Sequence, residues 1–258
     1  MPLLATVGGA SARGFGFTKP SVSITSFIVA TGGTVYTDPT NGNYKIHQFT
    51  TTGTFVITSA PVNPTVEVMM VGGGGGGSFG GGGAGGYIYN SAFGVSTGSF
   101  TVGVGAGSGG QGNNTTFSTL VALGGGHVNS SGGSGGGGVD NNGGAGLQPT
   151  SASGGFGNAG GNWTSPGYDG GGGGAGGAGS VPNGGAGRTA DIISSSGTFA
   201  TFAQGGWGVQ NSVAYSLPAV VANSGNGGWG GGYDDANGNP VSSEPGQSGI
   251  VRIRYQFQ

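Results

Sequence analysis

Runs of glycine are the feature that most limits what this chain can fold into. Six consecutive glycines occupy positions 72–77, and further tracts, broken only by alanine, cover 80–86 and 170–179. Glycine loses more backbone freedom on folding than any other residue, so an ordered tract needs a systematic source of stabilisation. With 70 glycines among 258 residues, about four times the usual share, this requirement dominates the chain from about 72 to 249.

Three interpretations of the tracts compete. A flexible linker would join two domains, but here glycine dominates a long region that is interspersed with aromatic residues. A phosphate-binding loop is suggested by loose Gly-x-Gly matches such as 103–109, which carry no weight in this background. No Gly-Lys-Ser/Thr word and no strand-turn-helix context accompany them. The third interpretation is polyglycine II packing.

Polyglycine II is a helix of three residues per turn, with a rise of about 3.1 Å and no internal hydrogen bonds. Its N–H and C=O groups point outward and need partners. Because glycine lacks a Cβ, neighbouring helices can approach closely enough to bond laterally. Six glycines would form two turns, and each lateral bond would contribute about 0.5–1.5 kcal/mol. We expect this packing to offset the entropy loss of the long tracts.

Strand signals surround and interrupt the glycine tracts, and no stretch has helical periodicity. The segments with strand character are Ser23–Val29, Tyr44–Phe49, Thr54–Thr58, Thr65–Val71, Tyr87–Tyr89, Ser99–Val104, Thr116–Leu123, Ile192–Ile193, Thr198–Ala203 and Ile250–Phe257. The sequence therefore predicts an all-β fold, with β-sandwich-like strands enclosing glycine-rich segments that contain polyglycine II helices. It predicts essentially no α-helix.

The expected organisation has three parts. Residues 1–20 form an N-terminal anchor segment, 21–71 a β-strand region, and 72–258 a glycine-rich domain. The closing strand at 250–257 alternates strictly, and it matches the strand at 65–71 in character. We therefore expect these two strands to share one sheet and to hold the ends of the glycine-rich insert together.

The order of strand, glycine tract and closing strand resembles the glycine-rich domain of phage structural proteins. The resemblance rests on the segments 44–55, 66–77, 83–87 and 246–255. That domain is frequent in tail and fibre proteins of marine phages, including cyanophages. By composition, the interior is also similar to tail-fibre tip adhesins that pack polyglycine II helices. The resemblance implies a virion protein of a tail or other external appendage, attachment to a host surface and no catalysis.

Composition excludes several functions. Charged residues make up 5% of the chain, the net charge is −2, and the six basic residues form no basic stripe, so we expect no nucleic-acid partner. No apolar run is long enough for membrane insertion, and the N-terminus does not have the form of a secretory signal. Cysteine is absent and histidine occurs twice, so no metal site and no cofactor are expected.

Catalytic chemistry is also not expected. Asp234 and Asp235 are the only adjacent acids, and consecutive side chains of an extended segment diverge. The loop at 234–239 lacks the spacing and the bidentate Glu of a calcium loop. His47 and His127 are interpreted as structural or surface residues, because no nucleophile–base set includes them. We expect a protein that is not an enzyme.

The remaining signal is a set of large aromatic residues in turn-like context, accompanied by Phe156. The candidates for receptor binding are Trp163, Tyr168, Trp207, Trp229, Tyr233, Asp234 and Asp235. Rings of this kind can cover glycine layers or fill a core. Alternatively, exposed Tyr and Trp in loops suit recognition of a host glycan or an outer-membrane protein. The second interpretation predicts exposed rings clustered at one end of the molecule.

The N-terminal segment is either a frayed terminus or an anchor that binds other virion proteins, and we favour the anchor. Its candidate residues are Leu3, Leu4, Val7, Arg13, Phe15 and Phe17. The favoured function is a tail-fibre or tail-tip subunit for host attachment. The alternative is a purely structural component, such as a capsid decoration, neck or baseplate-associated protein. A homo-oligomer is expected, with a trimer favoured by fibre architecture.

Overall fold

The computed structural model describes residues 27–164, 167–209, 221–231 and 242–258. These ranges form an all-β protein with strands and a single 3-10 helix, Gln148–Thr150. The strands are β1 Val29–Thr31, β2 Thr34–Thr37, β3 Tyr44–Phe49, β4 Gly53–Ser59, β5 Thr65–Val71, β6 Tyr87–Gly94, β7 Gly98–Gly103, β8 Thr115–Phe117, β9 Leu120–Ala122, β10 Arg188–Thr189, β11 Thr201–Phe202 and β12 Ile250–Gln256.

Two five-stranded antiparallel sheets form the sandwich-like body. Sheet A has the order β1-β4-β7-β8-β9, and sheet B has the order β2-β3-β12-β5-β6. Among the described strands, the short β10 and β11 pair with each other alone. Strands from both sides of Val71 contribute to each sheet, because β4 pairs with β7 and β3 pairs with β12.

The main core lies between the two sheets, and alternation along the strands explains it. Val251, Ile253 and Tyr255 of β12 point into this core, where they meet buried side chains of sheet A such as Phe55 and Ile57. Side chains two residues apart share a face of a strand, so the strict alternation at 250–257 places one apolar face here. The all-β prediction is confirmed.

A second core covers the opposite face of sheet B. Ile46, Met69 and Ile250 contribute to it from the sheet, and Ile192 and Phe202 contribute from the segment that crosses over them. Strand β5 is therefore buried on both faces, which explains its continuous apolar end. It is an inner strand between β12 and β6, and β12 occupies the centre. Ile250 pairs with Val71, so the expected neighbours at the ends of the glycine-rich insert are adjacent.

Several strand boundaries differ from the sequence expectations. The segment 116–123 is not one strand: Ser118, with a φ of 52°, turns the chain between β8 and β9. Ile192 and Ile193 are buried core residues outside any strand. Of 198–203 only Thr201–Phe202 is strand, while β2 and β10 were not expected. The first four residues of the predicted strand at 23–29 lie outside the described residues.

The glycine tract 72–77 is a polyglycine II helix, as its hydrogen bonds demonstrate. Each backbone N–H donates to a carbonyl of another segment, and the same segment is reached again three residues later. The donor–acceptor pairs are Gly72–Gly86, Gly73–Asn113, Gly74–Gln247, Gly75–Gly83, Gly76–Gly110 and Gly77–Glu244. A partner that recurs every third residue requires three residues per turn. The acceptor numbers fall as the donor numbers rise, so these three neighbours are antiparallel.

Three further neighbours surround the same helix. A Cβ built on its glycines would meet backbone atoms of parallel segments, again with a period of three. The six surrounding segments are 83–86, 106–109, 110–113, 123–126, 226–229 and 244–247. A helix with six neighbours is fully enclosed, so only glycine fits along it. The sequence prediction of laterally bonded glycine helices is confirmed.

Candidate functional site

The glycine-helix array has two different ends. Strands join it at one end, which we call the strand end: β5 ends at Val71 directly before the first helix, and β12 begins at Ile250. The start of the first glycine helix, 72–77, and the end of the second glycine tract, 80–86, are adjacent here. The Gly72 N–H donates to the Gly86 carbonyl over 3.0 Å. The other end, called the tip, begins with the turn at Ser78–Phe79, where the Ser78 N–H donates to the Gly80 carbonyl over 2.9 Å.

Backbone hydrogen bonds bring several aromatic residues to the tip. The Val209 N–H donates to the Phe79 carbonyl over 2.9 Å, and the Gly230 N–H donates to the Trp207 carbonyl over 2.7 Å. The Gly231 N–H bonds the Ser78 carbonyl. Trp207 and Trp229 therefore flank the turn that closes the first two glycine helices.

Tyr168 and Trp163 belong to the same end. The segment that carries Tyr168 reaches the tip because the Asp169 N–H donates to the Val209 carbonyl over 3.0 Å. Gly138 connects the segment of Trp163, since it donates to the Gly161 carbonyl and accepts from the Gly170 N–H, both over 2.8 Å. All four described aromatic candidates thus come from segments that end at the tip.

These rings are neither fully buried nor fully exposed to solvent. Tyr168 is 37% exposed, and the three tryptophans are half-buried. Phe79, which the sequence interpretation missed, is 39% exposed in the turn. A large apolar residue between two glycine tracts was the available signal for it. Phe156 was grouped wrongly: it pairs with Tyr87 at the strand end.

A buried carboxyl group lies beside the aromatic residues. Asp169 is only 3% exposed. Burial, together with the nearby charge of Asp140, raises the pKa of Asp169 to about 6. This carboxyl follows Tyr168 directly in the chain, so the tip carries a group that titrates close to neutral pH. The other receptor-binding candidates, Tyr233, Asp234 and Asp235, lie outside the described residues, as do the anchor candidates Leu3, Leu4, Val7, Arg13, Phe15 and Phe17.

His47 has a structural position. Its ring is fully buried, with Nδ1 2.7 Å from the Gly32 carbonyl and Nε2 3.0 Å from the Tyr255 hydroxyl. Because a carbonyl can only accept, Nδ1 carries the proton and Nε2 accepts from Tyr255. Burial lowers the pKa of His47, and nearby Lys45 lowers it further, against the raising effect of the Gly32 bond. The neutral imidazole therefore crosslinks β3, the β1–β2 turn and β12.

A charged cluster on sheet B escaped the sequence interpretation. Arg254 lies 2.8 Å from Asp38 and 3.1 Å from Glu67, and its guanidinium lies over the Tyr44 ring. Tyr89 donates to Glu67 over 2.8 Å. Burial raises the pKa of Tyr89 to about 12, and the carboxylate of Glu67 adds to the shift. One guanidinium, two carboxylates and an uncharged phenol thus form a hydrogen-bonded network with one negative charge in excess, which is typical of a structural ion-pair network.

Among the described residues, no group of three or more His, Asp or Glu side chains could hold a metal ion. In the same four ranges, no helix is long and apolar enough to cross a membrane.

The fold and the tip define a class of all-β proteins in which a strand sandwich continues into an array of glycine helices. Residues 50–256 match the sequence profile of the glycine-rich domain. The chain belongs to this glycine-rich domain family. No curated protein matches the chain.

Proposed function

We propose that this chain is a non-catalytic structural protein of a bacteriophage virion, a tail-fibre or tail-tip subunit that attaches the particle to a host surface. In this proposal, the tip of the glycine-helix array contacts the host. The turns that carry Trp163, Tyr168, Trp207 and Trp229 form the contact surface. A host glycan or an outer-membrane protein is the receptor.

The observation that carries the proposal is the collection of these aromatic residues at one end. The segments that carry them are joined by backbone hydrogen bonds such as those from Val209 to Phe79 and from Gly230 to Trp207. Aromatic side chains supply large contact areas with few rotatable bonds, so little entropy is lost when they bind. A network of lateral backbone bonds below the tip would hold these turns rigid, which further favours binding.

The opposite pole suits attachment to the virion. Phe27, the first described residue, lines a cavity with Thr65 and Gln256. These residues begin β5 and end β12, whereas the glycine array joins those strands at Val71 and Ile250. Phe27 therefore lies at the pole away from the tip. We propose that the N-terminal segment binds other virion proteins there and that the protein assembles as a homotrimer.

The proposal is tested by adsorption blocking. Purified protein, whose mass in solution is measured by light scattering, is incubated with host cells before the phage is added. The protein should reduce adsorption, and Trp229→Ala and Tyr168→Ala should weaken the block about tenfold or more, the usual effect of removing an interface hot spot. Leu147→Ala is the control, because Leu147 is 42% exposed but lies away from the tip.

Two results would contradict host attachment. One is folded protein that does not compete with the phage at saturating concentration. The other is a block that Leu147→Ala weakens as much as the tip variants do. Either result would favour the alternative, a purely structural virion component, whose tip would instead contact neighbouring subunits.

A further inference from the structure

A second candidate site lies at the strand end, beside β10. An open cavity of about 590 Å³ is lined by Arg188, Asp191 and Phe199, among others. This volume lies within the range of small-molecule sites. Phe199 is 56% exposed, the most of any aromatic ring among the described exposed hydrophobic residues. The cavity therefore combines a charged pair with an accessible ring.

The polar groups of this cavity are held firmly from below. The fully buried Tyr87 donates its hydroxyl proton to Asp191 Oδ2 over 2.7 Å, and the Asp191 N–H donates to the Tyr87 oxygen over 2.9 Å. Arg188 Nε lies 3.5 Å from the same Oδ2. The Arg188 guanidinium also lies 3.8 Å from the centre of the Phe156 ring. Both charged side chains are thus fixed before any ligand arrives.

Hydrogen-bonding capacity remains on the cavity side. The hydrogen bonds of the described residues include none to Arg188 Nη1 or Nη2 and none to Asp191 Oδ1. The two side chains are 33% and 24% exposed, and both residues line the open cavity. A pair of N–H donors therefore stands next to a carboxylate acceptor.

The charge balance selects the chemistry of the ligand. An anion would be attracted by Arg188 but repelled by Asp191, and a cation would meet the reverse situation. A neutral molecule with adjacent hydroxyl groups satisfies both, because a hydroxyl donates to a carboxylate and accepts from a guanidinium. The apolar C–H face of a sugar ring can pack on an exposed aromatic ring such as Phe199, which buries area that water contacts poorly.

We propose that the Arg188–Asp191 pair and Phe199 form a binding site for a neutral saccharide. One sugar hydroxyl donates to Asp191 Oδ1, another accepts from the Nη groups of Arg188, and the ring packs against Phe199. The site is separate from the tip and does not depend on the proposed host attachment. It would give the protein a second contact with a glycan surface.

The test is saturation-transfer NMR with the full-length protein and a panel of free sugars. The neutral disaccharides maltose, cellobiose and lactose are compared with glucuronate and glucosamine. We expect signal from at least one neutral sugar, strongest at the protons of one ring face. Phe199→Ala and Arg188→Lys should each weaken its affinity about tenfold or more. Val62→Ala is the control and should leave it unchanged, because Val62 is exposed in the β4–β5 turn and lines neither this cavity nor the tip.

Phe199→Ala keeps the Tyr87–Asp191–Arg188 contacts, so we expect this variant to fold. Thermal unfolding verifies its folding independently of sugar binding. The proposal is overturned if no neutral sugar gives signal, or if Phe199→Ala binds as the unmodified protein does. It is also overturned if glucuronate or glucosamine binds more tightly than every neutral sugar. Because Phe199 is not at the tip, an intact adsorption block combined with absent sugar binding would reject this site alone.

Discussion

Replacing Gly76 with alanine tests the glycine packing directly. Gly76 faces Gly109, and the same replacement at Gly109 is a matched control. A Cβ on Gly76 would lie 2.6 Å from the Gly109 Cα and closer still to its carbonyl group, whereas real Cβ atoms essentially never approach within 3.0 Å. A Cβ on Gly109 would meet nothing within 4 Å, and its φ is not in the left-handed region. The two glycines belong to adjacent segments of one array, but only a Cβ on Gly76 would point at the other segment.

The expected magnitude follows from the separation that Gly76→Ala demands. To move from 2.6 Å to the 3.4 Å of ordinary contact, the helix and its neighbour must shift by most of an ångström. Overpacking of this kind costs about 1–3 kcal/mol. The 2.8 Å bond from Gly76 to Gly110 would weaken as well, and a lost bond costs roughly 0.5–1.5 kcal/mol. We expect Gly76→Ala to lower the free energy of unfolding by about 2–4 kcal/mol.

Gly109→Ala should leave that free energy unchanged or raise it by about 0.4–1 kcal/mol, because alanine restricts the unfolded chain without a clash in the folded one. Both variants carry the same composition change, so the difference between them isolates the packing. The assay is urea unfolding followed by circular dichroism. If Gly76→Ala unfolds within 0.5 kcal/mol of the unmodified protein, or if both variants lose equal stability, the close-packed array is refuted.

Two further predictions concern buried polar groups of the sandwich. The lowered pKa of His47 means that the folded state binds fewer protons than the unfolded chain, whose histidine titrates near 6.5. The stability that His47 contributes should therefore be fully present above pH 6.5 and fall as the pH drops below it, by at most about 1.4 kcal/mol per pH unit. His47→Gln should lose this pH dependence in urea titrations at pH 5–7. An unchanged slope of unfolding free energy against pH in this variant would contradict the prediction. Arg252 is buried with its Nη1 donating to the Ile192 carbonyl over 2.7 Å and its Nε to Gln48 over 2.9 Å. Arg252→Ala should lower the free energy of unfolding by about 3 kcal/mol, since it leaves two unpaired acceptors and a cavity. Arg252→Met fills the space and removes a desolvated charge, so it should lose less than half as much in the same assay. Equal losses in the two variants would show that the lost packing is not the larger effect.

Local patterns in the sequence were sufficient for the longer strands, whether they alternate, as Tyr44–Phe49 does, or end in a continuous apolar run, as Thr65–Val71 does. Tyr44–Phe49 and Thr65–Val71 have the predicted bounds, and β12 differs from its prediction by one residue. Short apolar segments were less informative. Ile192 and Ile193 carry a strand-like composition, but their environment is the far face of sheet B. Burial stabilises them there, and side chains of sheet B, not a neighbouring strand, donate to their carbonyls. A single left-handed residue, Ser118, divides the predicted strand at 116–123, and its side chain gives no indication of the turn.

The candidate sites depended more strongly on tertiary structure. The sequence identified the aromatic residues near 163, 207 and 229 as a group, and the turns that carry them meet at the tip. Phe156 had the same local context but lies at the strand end. There it packs with Arg188, which is 32 residues away in the sequence. The Tyr87–Asp191 bond joins residues 104 positions apart. Contacts over such distances leave no mark on local composition.

The sequence by itself determined that glycine is the packing material and that strands enclose it. The tracts contain almost nothing but glycine, and only lateral backbone bonding can stabilise such segments. Which tract lies beside which was decided by the tertiary structure alone. Glycine has no side chain to distinguish one neighbour from another, so the tracts are chemically equivalent. Their order is fixed instead by the strands that lead into them, such as β5 before Gly72 and β12 after Gly249, and by the paired sheets that hold those strands.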